Sequence, residues 1–196
     1  MTNIMVVLCV LSNLTIWSYK LLITKKTSDF RIPVKDVILL TGISAIIQAV
    51  LIYLKWTNVY IGLYIPYLFI QGYTDFKTGY VYRIPSIVFG SIAILQLIMM
   101  QEFNLVNILF SLVFLIFFII CTVLKKIGLG DTISLVVISL IGCLAFQSKF
   151  VGAWILNMLL VSLSFSSYTI IAKKKSAPFL PWLSATTIIV LLLYSI

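Results

Sequence analysis

The chain has almost none of the side chains from which proteins usually build zinc sites. It contains no histidine and only three cysteines, Cys9, Cys121 and Cys143, each of which lies alone within an apolar segment. Structural and catalytic zinc sites use clustered cysteine and histidine, so the sequence predicts no metal site of this kind. The three cysteines are expected to pack as small buried hydrophobic residues.

Charged residues are also scarce, at 10% of the chain, whereas 62% of the residues are hydrophobic and the mean hydropathy is +1.19. A soluble domain of 196 residues could not bury that much apolar surface, so the sequence predicts an all-α integral membrane protein. The connections are short, and residues 1–196 are therefore expected to form a single membrane domain without a sizeable soluble part. The first apolar run has no preceding positive charge, which favours a retained helix over a cleaved signal peptide.

Apolar runs of roughly 15 to 20 residues, near the length that crosses a hydrocarbon core, predict about eight transmembrane helices. The predicted spans are 3–22, 37–54, 59–75, 85–100, 105–124, 132–147, 152–172 and 179–195. Pro66 lies inside the third of them, where a proline is expected to kink the helix.

The basic residues are distributed unevenly between the two ends of these spans. Twelve of the fourteen fall in the odd-numbered connections: Lys20, Lys25, Lys26, Arg31, Lys35, Lys77, Arg83, Lys125, Lys126, Lys173, Lys174 and Lys175. Only Lys55 and Lys149 fall on the other side. Positive charge favours the cytoplasmic side, so we expect a multi-pass protein of the cytoplasmic membrane with both termini outside. The net charge of +9 therefore reflects membrane orientation and contact with lipid, and no basic–aromatic patch points to nucleic acid.

Acidic residues are the rarest charged group, and two of them lie where an apolar segment meets a short loop. The five acids are Asp29, Asp36, Asp75, Glu102 and Asp131. Asp75 closes the third predicted span and Asp131 opens the sixth, with two complete spans between them. An even number of crossings returns the chain to the same side, so both carboxyl groups are expected at the cytoplasmic end. Ionisable groups in membrane segments are candidates for a functional site.

Two neighbouring carboxyl groups can hydrolyse a peptide bond. They share one proton; the ionised group takes a proton from water while the protonated group hydrogen-bonds the scissile carbonyl. Gly128 and Gly130 would then let the backbone approach an extended peptide closely and adopt a positive φ before the helix begins. Purely structural roles remain open, because Asp131 also fits an N-cap and Asp75 also fits a solvated helix end paired with Lys77.

Three segments of the sequence resemble the type IV prepilin peptidases, a family of membrane aspartyl proteases grouped with the archaeal preflagellin peptidases. The G-L-G-D at 128–131 resembles the family's G-x-G-D motif, and the stretch from Asp75 to Arg83-Ile84-Pro85 resembles its first aspartate motif. The segment Ala177–Leu183 is similar to the Pro-Phe-Gly-Pro-Phe-Leu segment before the family's last helix. The resemblance covers about residues 60–195, and the predicted eight spans fit the bacterial members.

This resemblance implies an endopeptidase that removes the short basic leader of a prepilin or pseudopilin at the cytoplasmic face of the membrane. Asp75 and Asp131 match the two catalytic aspartates, Gly128 and Gly130 support the second motif, and neither a metal nor an organic cofactor is implied. The partner is a substrate with a basic leader followed by a hydrophobic helix.

The chain departs from the family pattern at several places. Ile133 stands where members often have a lysine, and the interval from Asp75 to Pro85 is a few residues longer than usual. The first cytoplasmic loop, about residues 23–36, lacks the cysteine-bearing insert that accompanies N-methylation in many relatives. Peptidase activity is therefore expected without methylation. Asp29 and Asp36 lie in this loop as candidates to meet a basic leader, although solvation by the loop also accounts for them.

Two other functional classes remain alternatives. The presenilin and signal-peptide-peptidase group shares a G-L-G-D, and Tyr73 lies near the first aspartate as an aromatic does there, but no Pro-Ala-Leu motif is present. A cation-coupled transporter also uses intramembrane acids, usually near the bilayer midplane and with internal repeats, which this sequence lacks. Besides these two classes, a third alternative is a non-catalytic membrane scaffold.

Overall fold

The computed structural model describes residues 2–26, 32–54, 59–79, 81–100, 105–125, 127–172 and 178–194. Throughout these ranges the regular structure is helical, as the sequence predicted. The α-helices are α1 (Thr2–Lys26), α2 (Val34–Tyr53), α3 (Ile65–Thr78), α4 (Arg83–Met100), α5 (Leu105–Val123), α6 (Leu129–Phe146), α7 (Phe150–Ile171) and α8 (Leu180–Leu193). Two 3₁₀ segments, Val59–Tyr64 and Gln147–Lys149, precede α3 and α7.

Seven of the eight predicted apolar runs coincide with one of these α-helices, to within a few residues at either end, and the third covers a 3₁₀ segment and most of α3. Among the described residues, three helical stretches are long and apolar enough to cross a membrane: Val34–Tyr53, Leu105–Val123 and the continuous Leu129–Ile171, which comprises α6 and α7. Large apolar side chains cover the outer surface of α5 along its whole length, as expected for a helix whose surroundings are apolar.

The third predicted span divides into two pieces at its proline. Pro66 was expected to kink the middle of a helix, but it lies in the first turn of α3, directly after the 3₁₀ segment Val59–Tyr64. Proline is tolerated there because the first N–H groups of a helix have no intrahelical partner. The expectation of a kink within the helix is therefore wrong, and the change in helix type lies before Pro66.

The two helices that carry the acidic pair, α3 and α6, pack mainly against different partners. α3 packs mainly against α8, and α6 packs mainly against α4. α8 also contacts α7, while α1 and α2 pack together against the other side of α3. A large core cluster joins these groups and includes Tyr67 and Leu68 of α3, Trp154 of α7 and Leu180 of α8, all of them fully buried.

Gly79 follows α3, four residues after Asp75, and its backbone is left-handed. Its φ is +65°, and its N–H donates to the backbone carbonyl of Asp75 at 2.8 Å. A side chain at this left-handed position costs about 1 kcal/mol, although nothing lies within 4 Å of the space that a Cβ would occupy.

We therefore expect Gly79→Ala to lower the free energy of unfolding by about 1 kcal/mol. Gly42→Ala is the matched control, because Gly42 lies within α2 with open space around it. There alanine is expected to stabilise the helix by about 0.5–1 kcal/mol. Thermal unfolding in detergent measures both changes; a Gly79→Ala protein as stable as the Gly42→Ala protein would contradict the prediction.

Candidate active site

Asp75 lies in the last turn of α3 and is buried, with 5% of its surface exposed. Its Oδ2 accepts a hydrogen bond from the backbone N–H of Leu180 at 2.9 Å. Leu180 is the first residue of α8, so this N–H has no partner within its own helix. The N-terminal end of α8 also favours a negative charge, and the carboxyl group of Asp75 is therefore held by a neighbouring helix.

This environment differs from that of a solvated acid at a helix end. The ammonium group of Lys77, which was considered as a partner for Asp75, lies 5.9 Å from the centre of the Tyr73 ring and 6.0 Å from that of Phe76. Asp75 faces inward toward α8 while Phe76 and Lys77 are exposed. A purely solvated role for Asp75 is thus wrong.

Asp131 is the third residue of α6, and the N-cap of that helix is Gly128. The structural alternative of Asp131 as the N-cap is therefore wrong. Its carboxyl group turns back toward Gly128, whose backbone N–H stabilises the charge; a Cβ at Gly128 would lie 3.1 Å from Asp131 Oδ2. An acid at this position can accept the backbone N–H of the N-cap residue, as the acid of a capping box does.

The two carboxyl groups lie close enough for the negative charge of Asp75 to act directly on Asp131. Two residues 56 positions apart in sequence, one at the end of α3 and one at the start of α6, are thus electrostatically coupled. Repulsion between like charges favours a state in which the pair holds one proton. One ionised and one protonated carboxyl group can together accept a proton from a bound water and donate a proton to a substrate.

The glycines of the G-L-G-D segment have roles that differ from the prediction. Gly128 has an extended backbone, with φ −71° and ψ 149°, and Gly130 is helical. Gly79 is the glycine with a positive φ in the described part of the chain, so the expected positive φ before α6 is wrong. A Cβ on Gly130 would lie 2.9 Å from the Cβ of Val81 and 3.2 Å from its carbonyl oxygen. The close approach is therefore to the connection between α3 and α4.

A cavity of about 210 Å³ lies between Phe76, the residue after Asp75, and side chains of α7 and α8. Its walls are mostly aromatic or proline side chains: Phe76, Tyr168, Pro178, Pro181, Trp182 and Ala185. The rings of Tyr168 and Trp182 pack with their centroids 5.2 Å apart. A cavity with such walls can accept one apolar side chain of a ligand.

The remaining candidates from the sequence lie elsewhere. Asp36 is half-buried in the first turn of α2 and accepts a hydrogen bond from the hydroxyl of Tyr73, whereas Asp29 lies outside the described residues. Ile133 is half-buried in α6. The three cysteines are free and half-buried rather than fully buried. In the ranges that the structure describes, no three His, Cys, Asp or Glu side chains converge as metal ligands.

The backbone of Leu180 is a site component that the sequence reasoning missed. The signal was present, because Pro178 and Pro181 mark a helix start and the first N–H groups of a helix require partners from outside it. The sequence could not indicate which acceptor Leu180 would meet, since Asp75 lies 105 positions earlier.

Comparisons of the chain with protein-family models, with curated proteins and with solved structures found no match.

Proposed function

We propose that this protein is an aspartic endopeptidase of the cytoplasmic membrane, in which Asp75 and Asp131 cleave the basic leader from prepilin-like substrates. The observation that carries the proposal is the electrostatic coupling of two carboxyl groups on separate helices, since the charge of Asp75 acts on Asp131. The proposal also rests on the resemblance of the G-L-G-D, Asp75 and Ala177–Leu183 segments to the type IV prepilin peptidases. It covers peptide cleavage without N-methylation.

The surroundings of the two acids assign their roles in the proposal. Each carboxyl group faces a backbone N–H at a helix start, Asp75 that of Leu180 and Asp131 that of Gly128, but the charge of Asp75 favours the protonated form of Asp131. Asp75 is therefore the general base. Asp131 carries the shared proton and hydrogen-bonds the scissile carbonyl oxygen. Asp75 takes a proton from water as the water oxygen bonds to the carbonyl carbon, and that proton passes to the amide nitrogen when the C–N bond breaks.

The arrangement of the helices in the membrane suits a substrate that is part soluble and part apolar. In the proposal all eight α-helices cross the membrane, and the connection after α3 and the one before α6 both face the cytoplasm. The six-residue 3₁₀ segment before α3 adds about 12 Å to a helix of about 21 Å, which together match a hydrocarbon core of about 30 Å. The acidic pair then lies at the inner rim, where a basic leader joins an apolar helix.

In the proposal, the cavity at Phe76 holds an apolar side chain of the substrate close to the scissile bond. Ala185→Phe would fill much of its 210 Å³. We expect this change to raise KM about 10-fold, the effect of losing one good apolar contact, with a smaller effect on kcat. Ala45→Phe is the control, because Ala45 is exposed on α2, away from the cavity. Equal KM values for the two variants would exclude the cavity from substrate binding.

The proposal is tested with purified protein in detergent and a prepilin-like peptide that carries a basic leader and an apolar helix. Mass spectrometry should detect a single cut between leader and helix. A matched peptide whose leader lysines and arginines are replaced by glutamine should be cut more slowly, and a soluble peptide without the apolar helix should remain intact. Failure to cut any leader-bearing peptide in a panel of such substrates would contradict the proposal.

A further inference from the structure

Ser86 lies in the first turn of α4, beside residues of α3 and α6 that are one helical turn away from Asp75 and Asp131. It follows Ile84 and Pro85, which belong to the stretch that resembles the first aspartate motif but have no role in the proposed reaction. Its side chain is 1% exposed, and its hydroxyl meets three partners: Tyr67 Oη at 3.0 Å, Gln71 Nε2 at 2.9 Å and Ser134 Oγ at 3.3 Å. A hydroxyl group can make one donated and two accepted hydrogen bonds, so these contacts use its full capacity.

The partners of Ser86 lie on the two helices that carry the acids. Gln71 precedes Asp75 by four residues, and Ser134 follows Asp131 by three. Residues three or four apart share a helix face, at about 5 to 6 Å along the axis. Gln71 and Ser134 are both completely buried, and Gln71 also donates to the carbonyl of Tyr82 at 3.2 Å.

α3 packs mainly on α8 and α6 mainly on α4, while the 3₁₀ segment before α3 also packs against α6. Beyond this, α3 and α6 are joined by a polar network in which Ser86 contacts Tyr67, Gln71 and Ser134, and the Tyr67 hydroxyl also contacts Ser134. In an apolar environment these polar groups have few other partners, so the network, with Ser86 at its centre, specifies one register of the three helices.

We propose that Ser86 is a positioning residue: its bonds to Gln71 and Ser134 hold α3 and α6 in the register that brings Asp75 and Asp131 together. The geometric part of this inference is independent of proteolysis, whereas its consequence for catalysis rests on the proposed function.

The geometric part is tested by thiol cross-linking, which needs no substrate. The reference protein has Cys9, Cys121 and Cys143 replaced by alanine and carries Asp75→Cys and Asp131→Cys. A short bifunctional thiol reagent is expected to join the new cysteines rapidly. Adding Ser86→Ala should slow cross-linking at least about 5-fold, since it removes the bridge while leaving both cysteines in place.

Two controls separate a local effect from general loosening. Ser139→Ala removes a buried hydroxyl of α6 that donates only to Leu135 of its own helix, at 2.9 Å, and should leave the rate unchanged. A second reporter pair, Asn157→Cys with Thr187→Cys, replaces side chains of α7 and α8 that are hydrogen-bonded at 2.9 Å. Cross-linking of that pair should not respond to Ser86→Ala.

The effect of Ser86→Ala on catalysis is measured in a protein that retains Asp75 and Asp131. There Ser86→Ala should lower kcat about 10- to 100-fold, as expected for misplaced catalytic groups, with KM changed less than about 2-fold. Ser139→Ala should keep the parent values.

The outcomes distinguish the two proposals. An unchanged Asp75–Asp131 cross-linking rate in Ser86→Ala would overturn the positioning role even if the protein cleaves leader peptides. A slowed rate without any peptide cleavage would support the positioning role and reject the protease. A reference pair that does not cross-link at all would reject both, because the two side chains would then not be neighbours.

Discussion

Asp75→Asn and Asp131→Asn are each expected to reduce leader cleavage by at least about 10³-fold, the largest effect predicted for any substitution in this chain. An amide keeps the size of the side chain but neither takes a proton from water nor donates an acidic one. Neither variant leaves a carboxyl pair to share a proton, so the loss should be similar for both. Single-turnover cleavage with excess enzyme, followed by mass spectrometry, measures it.

The two variants should differ in stability although they share the loss of activity. In Asp75→Asn the carbonyl oxygen of the amide can still accept the N–H of Leu180, but a charge-assisted bond at the start of α8 becomes a neutral one. Asp131 carries the shared proton in the proposal, so its replacement by an amide removes no charge and leaves the bond between Leu180 and Asp75 in place. Asp131→Asn should therefore be about as stable as the parent in thermal unfolding, and Asp75→Asn less stable.

Asp36→Asn is the matched control for both substitutions. Asp36 is a half-buried acid whose partner is the Tyr73 hydroxyl, and an amide oxygen can accept the same hydrogen bond. Its activity should stay within about 3-fold of the parent, a change of less than about 1 kcal/mol in the barrier. If either Asp75→Asn or Asp131→Asn cleaves like the control, that residue has no part in the reaction.

Gly130→Ala is expected to lower kcat about 100-fold without removing any reactive group. The new Cβ would lie 2.9 Å from Val81 Cβ and 3.2 Å from the Val81 carbonyl oxygen. Atoms so close to the backbone cannot yield as the end of a flexible side chain does, so the start of α6 must move away from Val81. Asp131 is the next residue and moves with it, while Asp75 stays bound to α8.

Gly128→Ala provides a graded comparison at the same site. Its Cβ would meet a side-chain oxygen, Asp131 Oδ2 at 3.1 Å, which can shift by a few tenths of an ångström. The loss of activity should be smaller than for Gly130→Ala, and Gly42→Ala on α2 should retain parent activity. Parent-like kcat in Gly130→Ala would show that the contact of α6 with Val81 does not position Asp131.

The apolar character of the chain by itself determined the number and approximate limits of the α-helices. A helix satisfies its backbone hydrogen bonds within its own segment, so a run of apolar residues bounded by glycine or proline is enough to predict one. The predicted runs therefore agree with the eight α-helices of the described ranges, except in the third run. That run begins as a 3₁₀ segment and becomes α-helical just before Pro66. Asp75 and Asp131 were identifiable for the same reason, since charges are rare in such runs.

Only the tertiary structure decided which groups surround those acids. The N–H of Leu180 reaches Asp75 from α8, and Val81 lies against Gly130 from the connection between α3 and α4. The hydroxyl of Ser86 on α4 contacts Gln71 and Ser134, one turn away from the acids. Side-chain contacts between distant segments depend on how helices pack and rotate against one another. Apolar surfaces of similar composition constrain that packing only weakly, whereas a few buried hydrogen bonds select one arrangement.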